Sequence, residues 1–95
     1  MGEITTVLWG KQVEKQLSKM PQQVGRKFYA WVTAIQLAGL RQVRARPGFH
    51  DEPLKGNRSG QRSVRLNQSY RAIYVERLEQ GKEWIEVIEV NHHEY

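Results

Sequence analysis

The chain has 95 residues, which is enough for one domain and too few for two, so we expect a single domain spanning residues 1–95. It carries 15 Lys plus Arg against 10 Asp plus Glu, and this net charge of +5 favours a polyanionic partner such as nucleic acid. The sequence contains no cysteine, no run of 18 apolar residues and no signal-peptide pattern. These absences exclude disulfides and cysteine-based metal centres, and they predict a cytoplasmic protein without a membrane segment.

The first forty residues predict one strand and two helices. The β-branched and aromatic run from Ile4 to Trp9, closed by Gly10, is typical of a strand. Apolar residues at steps of three and four then predict a first helix, and Pro21 suits the first turn of a second. Gly39 is expected to end this second helix. One apolar stripe runs along it, formed by Val24, Phe28, Trp31, Ile35 and Ala38.

The rest of the chain predicts a loop followed by three strands. From residue 40 to residue 60, prolines and glycines interrupt every pattern, so we expect a basic, partly ordered loop. Alternating apolar and polar residues predict a strand over Arg62–Asn67, and tight connections lead to strands over Tyr70–Leu78 and Trp84–Asn91. Because the last two strands are apolar at both alternating positions, we expect them to be central in an antiparallel three-stranded meander.

Together these elements predict an α+β domain whose two helices pack on one face of the sheet. The helical stripe can be buried against only one face, so the opposite face stays open. Side chains from the loop, the strands and the C-terminus can converge on that open face. Many basic residues lie in the stretch from residue 41 to residue 71, which includes the loop and the first of these strands: Arg41, Arg44, Arg46, Lys55, Arg58, Arg62, Arg65 and Arg71.

The residues that can transfer protons are few: three histidines, four tyrosines, and the carboxylates Asp51 and Glu52 in the loop. A carboxylate and several cations, with imidazole and phenol groups at the C-terminus, suit metal-free cleavage of RNA. That reaction needs a base for the 2′-hydroxyl, cations for the charge that grows on phosphorus, and an acid for the departing 5′-oxygen. Composition alone still favours a solvated basic face without catalysis.

Several segments together resemble the RelE/ParE superfamily of toxins, and in particular its YoeB-like and HigB-like branches. These segments are Pro47–Phe49, Glu52–Gly60, Ser63–Leu66, Tyr70–Tyr74 and Val90–Tyr95. The resemblance covers nearly the whole chain in element order. It implies the toxin of a type II toxin–antitoxin system, a ribosome-dependent endonuclease that cleaves messenger RNA through the 2′-hydroxyl without a cofactor. It also implies three partners, namely the ribosome, messenger RNA and an adjacently encoded, DNA-binding antitoxin.

The resemblance further implies roles for individual residues. Glu52 matches the general base of YoeB-like toxins, and Lys55 matches the lysine beside it. Arg71 matches the arginine that contacts the scissile phosphate, and Arg65 is a second candidate for that contact. Contacts to RNA are expected from Lys55, Arg58, Arg62, Arg65, Tyr74 and His92.

At the C-terminus the resemblance implies a histidine acid and a stacking tyrosine, here His93 and Tyr95. The sequence departs from the family pattern because Glu94 separates the two residues, so either His92 or His93 can be the acid. A metal site at the paired histidines is disfavoured, because adjacent residues on a strand point to opposite faces. We therefore expect no metal.

Two other functions fit the same sequence. ParE-like members of the superfamily poison DNA gyrase on the same fold, so the fold by itself does not decide between the two activities. Against the gyrase function stand the residues that match the nuclease pattern: Glu52, Lys55, Arg71, His93 and Tyr95. A nucleic-acid-binding module without catalysis would use the arginines for phosphates and Tyr70 or Tyr74 for stacking. Replacing one acid or base conservatively separates a nuclease from a binder, because only the nuclease would lose its growth arrest.

Overall fold

Five strands form one mixed sheet in the computed structural model, which describes residues 3–92. The strands are β1 (Val7–Trp9), β2 (Glu52–Pro53), β3 (Arg62–Arg65), β4 (Tyr70–Glu79) and β5 (Lys82–His92). Their order across the sheet is β1-β5-β4-β3-β2, with β1 parallel to β5 and every other pair antiparallel. The predicted meander of β3, β4 and β5 is confirmed, and β4 and β5 are central.

Helices α1 (Lys11–Ser18) and α2 (Gln22–Ala38) follow β1 as predicted. The stripe on α2 is buried at Val24, Phe28, Trp31 and Ile35. Gly39 ends the helix with a φ of 87°, a conformation that favours glycine. The spacing of apolar residues therefore located both the extent of α2 and its buried side.

The segment from residue 40 to residue 60 is more ordered than the predicted loop. It begins with a third helix, α3 (Leu40–Arg44), because Leu40 and Val43, spaced three residues apart, are both buried against the core. Glu3 accepts a hydrogen bond of 3.0 Å from the backbone N–H of Arg41 in its first turn. The segment also contains two short 3₁₀ helices and the two-residue strand β2: Pro47–Phe49, Gly56–Arg58 and Glu52–Pro53.

Both hairpin connections are tight, as predicted. The side chain of Asn67 accepts hydrogen bonds from the backbone N–H groups of Ser69 and Tyr70, which ends β3 sooner than the alternation suggested. Between β4 and β5, Gln80 and Gly81 have φ values of 52° and 77°. Two successive positive φ values are typical of the turn whose twist matches that of the flanking strands.

The helices cover one face of the sheet, as predicted. Strand residues of this face belong to the same buried cluster as Phe28 and Trp31: Val64, Ala72, Tyr74, Ile85, Val87 and Val90. A bulge between Ile73 and Tyr74 shifts the pairing of β4 with β5 by one residue, so the alternation of faces along β5 is interrupted there. Within residues 3–92, no helix is both long and apolar enough to cross a membrane.

Candidate active site on the open sheet face

Two rows of side chains cross the face of the sheet that the helices leave uncovered, which we call the open face. Residues that pair directly in an antiparallel sheet point to the same side, so the strand register defines each row. The first row runs from β2 to β5 over Glu52, Ser63, Ile73 and Glu89. The second row runs from β3 to β5 over Arg65, Arg71 and Asn91. The predicted base therefore shares a face with both predicted phosphate-binding arginines.

A continuous hydrogen-bond network joins the two rows. The Nε of Arg71 donates to Oδ1 of Asn91 at 3.2 Å, and the amide nitrogen of Asn91 donates to Oε2 of Glu89. The other oxygen of Glu89 accepts from Arg58 at 2.8 Å, and Arg58 also donates to Gln61 at 2.9 Å. Both carboxylate oxygens of Glu89 are therefore engaged, one towards each arginine.

Arg58 crosses the open face from the loop to β5. Its ion pair with Glu89 joins the segment between β2 and β3 to the far side of β4. Ser63 and Ile73 occupy the row between these two partners, and both are buried although they lie outside the helical core. The Arg58 side chain thus reaches from the loop to β5 on this face, with 37% of its surface still exposed.

The carboxylate of Glu89 is held in its charged form. Burial raises its pKa, but hydrogen bonds from Asn91 and Arg58, and the positive charges of Arg58 and Arg71, outweigh burial and hold the pKa below its ordinary value of 4.5. A carboxylate with a lowered pKa and two occupied oxygens is a poor proton acceptor. Glu89 therefore serves to bind the arginines and is not a candidate base.

Glu52 is exposed, and its neighbour Asp51 anchors it. The Asp51 side chain is 1% exposed and accepts hydrogen bonds from Nε of Arg62 at 2.6 Å and from the hydroxyl of Tyr74 at 2.5 Å. Adjacent residues of an extended chain point to opposite sides, so fixing Asp51 on the helix side directs Glu52 to the open face. Lys55, also exposed, directly precedes the 3₁₀ helix that carries Arg58.

Two predicted RNA contacts, Arg62 and Tyr74, lie on the helix side of the sheet, where they pair with each other across β3 and β4. The Tyr74 side chain is fully buried, with its ring centroid 5.5 Å from that of Trp31, so no base can stack on it. The prediction for Tyr74 is therefore wrong. Arg62 forms an ion pair with the buried Asp51, so it helps to hold the loop in place and does not belong to the RNA-binding surface.

The predicted C-terminal residues are divided between the helix side and the part of the chain outside the described range. His92 pairs with Tyr70 on the helix side, where the two rings meet edge to face at 5.2 Å. It therefore points away from Arg71, which corrects the expectation that His92 belongs to the RNA-binding face. His93 and Tyr95 lie outside the described residues.

Sequence reasoning missed Asp51 as an anchor and both Glu89 and Asn91 as parts of the network. A signal was present for the last two, because Glu89 and Asn91 are polar residues two positions apart within a strand of β-branched residues. For Asp51 no signal distinguished a buried carboxylate from the exposed one beside it. Among residues 3–92, no three His, Asp or Glu side chains are grouped so that they could hold a metal ion.

A groove of about 1120 Å³ lies against the outer sides of α1 and α2, away from the open face. Its apolar lining includes Leu17, Met20, Tyr29, Ala30 and Leu37. None of the predicted site residues lines this groove. The candidate site therefore lies outside this groove.

The sequence matches no established family profile and no curated protein. Solved structures do resemble this one. The YoeB/ParE toxin from Agrobacterium tumefaciens aligns with a TM-score of 0.69 at 17% identity, covering 94% of this chain and 99% of that chain. YafQ from E. coli aligns with a TM-score of 0.67 at 15% identity over 90% of each chain. YoeB in the YoeB-YefM complex from Staphylococcus aureus aligns with a TM-score of 0.63 at 18% identity, covering 98% and 100%. This chain therefore has the fold of the RelE/ParE toxins.

Proposed function

We propose that the chain is the toxin of a type II toxin–antitoxin system and cleaves messenger RNA on the ribosome without a cofactor. The observation that carries the proposal is the placement of one exposed carboxylate, Glu52, on the same sheet face as Arg65 and Arg71. A base and cations on one face are two of the three kinds of group that cleavage through the 2′-hydroxyl needs, the third being an acid. The fold shared with YoeB and YafQ supports the same conclusion.

In the proposed reaction Glu52 takes the proton of the 2′-hydroxyl. The 2′-oxygen then forms a bond to phosphorus, and the bond from phosphorus to the 5′-oxygen breaks. An acid returns a proton to that departing oxygen, so the products are a 2′,3′-cyclic phosphate and a 5′-hydroxyl. No water molecule or metal-bound hydroxide takes part in this step.

Cations of the open face offset the charge that develops on the phosphoryl oxygens. Arg71 and Arg65 lie side by side in the second row, and Arg58 reaches the first row through Glu89. Guanidinium groups suit this task because they keep their charge and present several N–H donors in one plane. Lys55, exposed before the Arg58 turn, adds a charge that attracts the RNA backbone.

We assign the acid to His93 and base stacking to Tyr95. The position of His92 supports the first assignment, because its ring contacts Tyr70 on the helix side and so points away from the arginines. The resemblance at the C-terminus supports the second. Exchange of His92 and of His93 for glutamine, one at a time, separates the two candidates: only the His93 variant should lose cleavage.

A cognate antitoxin completes the proposed system. Staphylococcus aureus YoeB has been solved in complex with YefM, which makes a protein partner the natural expectation for a chain of the same fold. We propose that the antitoxin covers the basic open face, so salt should slow the association. A complex that leaves Lys55, Arg65 and Arg71 exposed, without displacing the C-terminus, would contradict this placement.

Primer extension on a message translated in vitro tests the proposed function. The wild-type protein should produce cuts in phase with codons, and only during translation. Glu52→Gln should remove these cuts, whereas Glu79→Gln, at an exposed carboxylate at the end of β4, should leave them. Inhibition of gyrase supercoiling without any cut would favour the ParE-like function instead.

A further inference from the structure

We propose that Glu89 is a positioning residue that holds Arg58 and Arg71 in the arrangement that receives the scissile phosphate. This inference rests on the proposed nuclease function and adds to it a residue that does not itself touch the reacting atoms. Glu89 lies at the centre of the network, with Arg58 on one carboxylate oxygen and Asn91 on the other. Asn91 in turn holds the Nε of Arg71.

The first argument is geometric. Arg58 belongs to a 3₁₀ helix of three residues in a segment between short strands, so its backbone alone fixes the side chain poorly. Glu89, by contrast, stands on β5 opposite Ile73 of β4, and the next backbone N–H, of Val90, donates to Gln16 of α1 at 2.8 Å, so Glu89 is a firm attachment point. The 2.8 Å ion pair transfers this rigidity to the guanidinium. An arginine fixed before the substrate arrives loses less entropy when it binds the phosphate.

The second argument concerns charge. Arg58, Arg65 and Arg71 crowd cations onto the open face, and like charges at short range repel. One carboxylate among them reduces this repulsion and lets the guanidinium groups stay close together. Burial raises the pKa of Glu89, but hydrogen bonds from Asn91 and Arg58 and the charges of Arg58 and Arg71 outweigh burial and lower it, so the negative charge is present throughout the neutral pH range.

The Glu89→Gln variant distinguishes two possible roles of Glu89, because they predict opposite effects on the cleavage rate. If Glu89 were only a negative charge that competes with RNA, its removal would strengthen RNA binding and raise the cleavage rate. If Glu89 positions the arginines, the single-turnover rate should fall although the affinity for RNA does not. Displacement of a catalytic group by about 1 Å costs on the order of 100-fold in rate, so we expect a loss of about 10- to 100-fold.

The experiment compares Glu89→Gln with Glu86→Gln in a single-turnover cleavage assay. Glu86 is a matched control because it lies on the same strand and face and pairs with Arg77 at 2.9 Å, away from the Arg58 network. We expect cleavage to fall in Glu89→Gln only, with affinity for a 2′-deoxy substrate analogue equal to that of the wild type or tighter. Cleavage by Glu89→Gln at or above the rate of Glu86→Gln would overturn the proposal.

Combining Glu89→Gln with Arg58→Ala shows whether Glu89 acts through Arg58. The factor by which Glu89→Gln lowers the cleavage rate should be smaller in the Arg58→Ala background, because the arginine that Glu89 positions is already missing there. An undiminished loss would contradict the proposal. The side-chain NMR signal of the Arg58 guanidinium provides a readout that needs no activity: it should shift in Glu89→Gln and stay in Glu86→Gln. If the wild-type protein does not cleave RNA but the Arg58 signal still shifts in Glu89→Gln, the proposed nuclease function is rejected, whereas the contact between Glu89 and Arg58 is supported.

Discussion

The hydroxyl of Tyr74 donates a hydrogen bond of 2.5 Å to Oδ2 of Asp51, which links the centre of the sheet to the residue before Glu52. The same carboxylate receives Arg62, so a charged side chain that is 1% exposed has two strong donors. A buried carboxylate requires such partners, because an unpaired buried charge costs several kcal/mol. The direction of the proposed base thus depends on a tyrosine of the core.

Tyr74→Phe should lower the free energy of unfolding by about 1–3 kcal/mol at neutral pH, because Asp51 loses one of its donors. Burial, the hydrogen bond to Asp51 and the charge of Asp51 raise the pKa of Tyr74 above its ordinary value of 10.0, although Arg44 opposes this. A raised pKa stabilises the fold below pH 10.0, and this contribution is lost as the pH rises above it. Chemical denaturation across alkaline pH should therefore show a steeper decline for the wild type than for Tyr74→Phe. Parallel curves would contradict the buried placement of the Tyr74 hydroxyl beside Asp51.

Trp31→Ala should cost about 3–5 kcal/mol in the free energy of unfolding, because the side chain is fully buried on α2. Leu37→Ala provides a control on the same helix. Its side chain is 83% exposed, and the loss there should be no more than about 0.5 kcal/mol. Urea denaturation of both variants measures the difference. Equal midpoints would mean that α2 presents a different side to the sheet.

Arg71→Ala should reduce the single-turnover cleavage rate by about 100- to 1000-fold, as expected when a group that stabilises the transition state is deleted. Arg77→Ala is the matched control. Arg77 lies on the same strand and face but pairs with Glu86 further from the proposed site. Its removal should leave the rate close to that of the wild type, because an exposed ion pair contributes little to the stability of the fold. Equal losses in the two variants would remove Arg71 from the proposed site.

The sequence pattern predicted the layers of this fold better than the faces of its strands. On α2, apolar residues at helical spacing identified the buried side because polar residues occupied the other positions. On β4, Ala72, Ile73 and Tyr74 are successive buried residues that point to alternating sides. Alternation therefore carried no information there, and Tyr74 was assigned to the wrong surface.

The candidate site was predictable where family-like motifs placed residues on known elements. Such motifs singled out Glu52, Arg65 and Arg71 as candidates, and the strand register places these three residues on the open face. The contact between Arg58 and Glu89 was not predictable, because it joins a loop to a strand 31 residues away. Only the register of β3, β4 and β5 brings those side chains together.

Binding of RNA by the Glu52→Gln protein should weaken as salt increases, since each phosphate contact releases counterions. When Arg65→Ala is added to Glu52→Gln, the slope of log affinity against log salt should become shallower by about one unit, as expected for the loss of one phosphate contact. Arg44→Ala is the control, because Arg44 contacts Tyr74 and Glu76 and so belongs to the helix side of the sheet. An unchanged slope for Arg65→Ala, or an equal change for Arg44→Ala, would place the RNA on another surface.

The chemistry of the newly formed RNA ends tests the central claim most directly. Attack by the 2′-hydroxyl leaves a 2′,3′-cyclic phosphate on the upstream fragment and a hydroxyl on the 5′ end of the downstream fragment. Mass spectrometry of fragments from a single-turnover reaction, with Glu52→Gln as the inactive reference, distinguishes this outcome from hydrolysis. We predict the cyclic phosphate at every cut made by the wild-type protein. A 3′-hydroxyl paired with a 5′-phosphate would contradict acid–base cleavage on the open face.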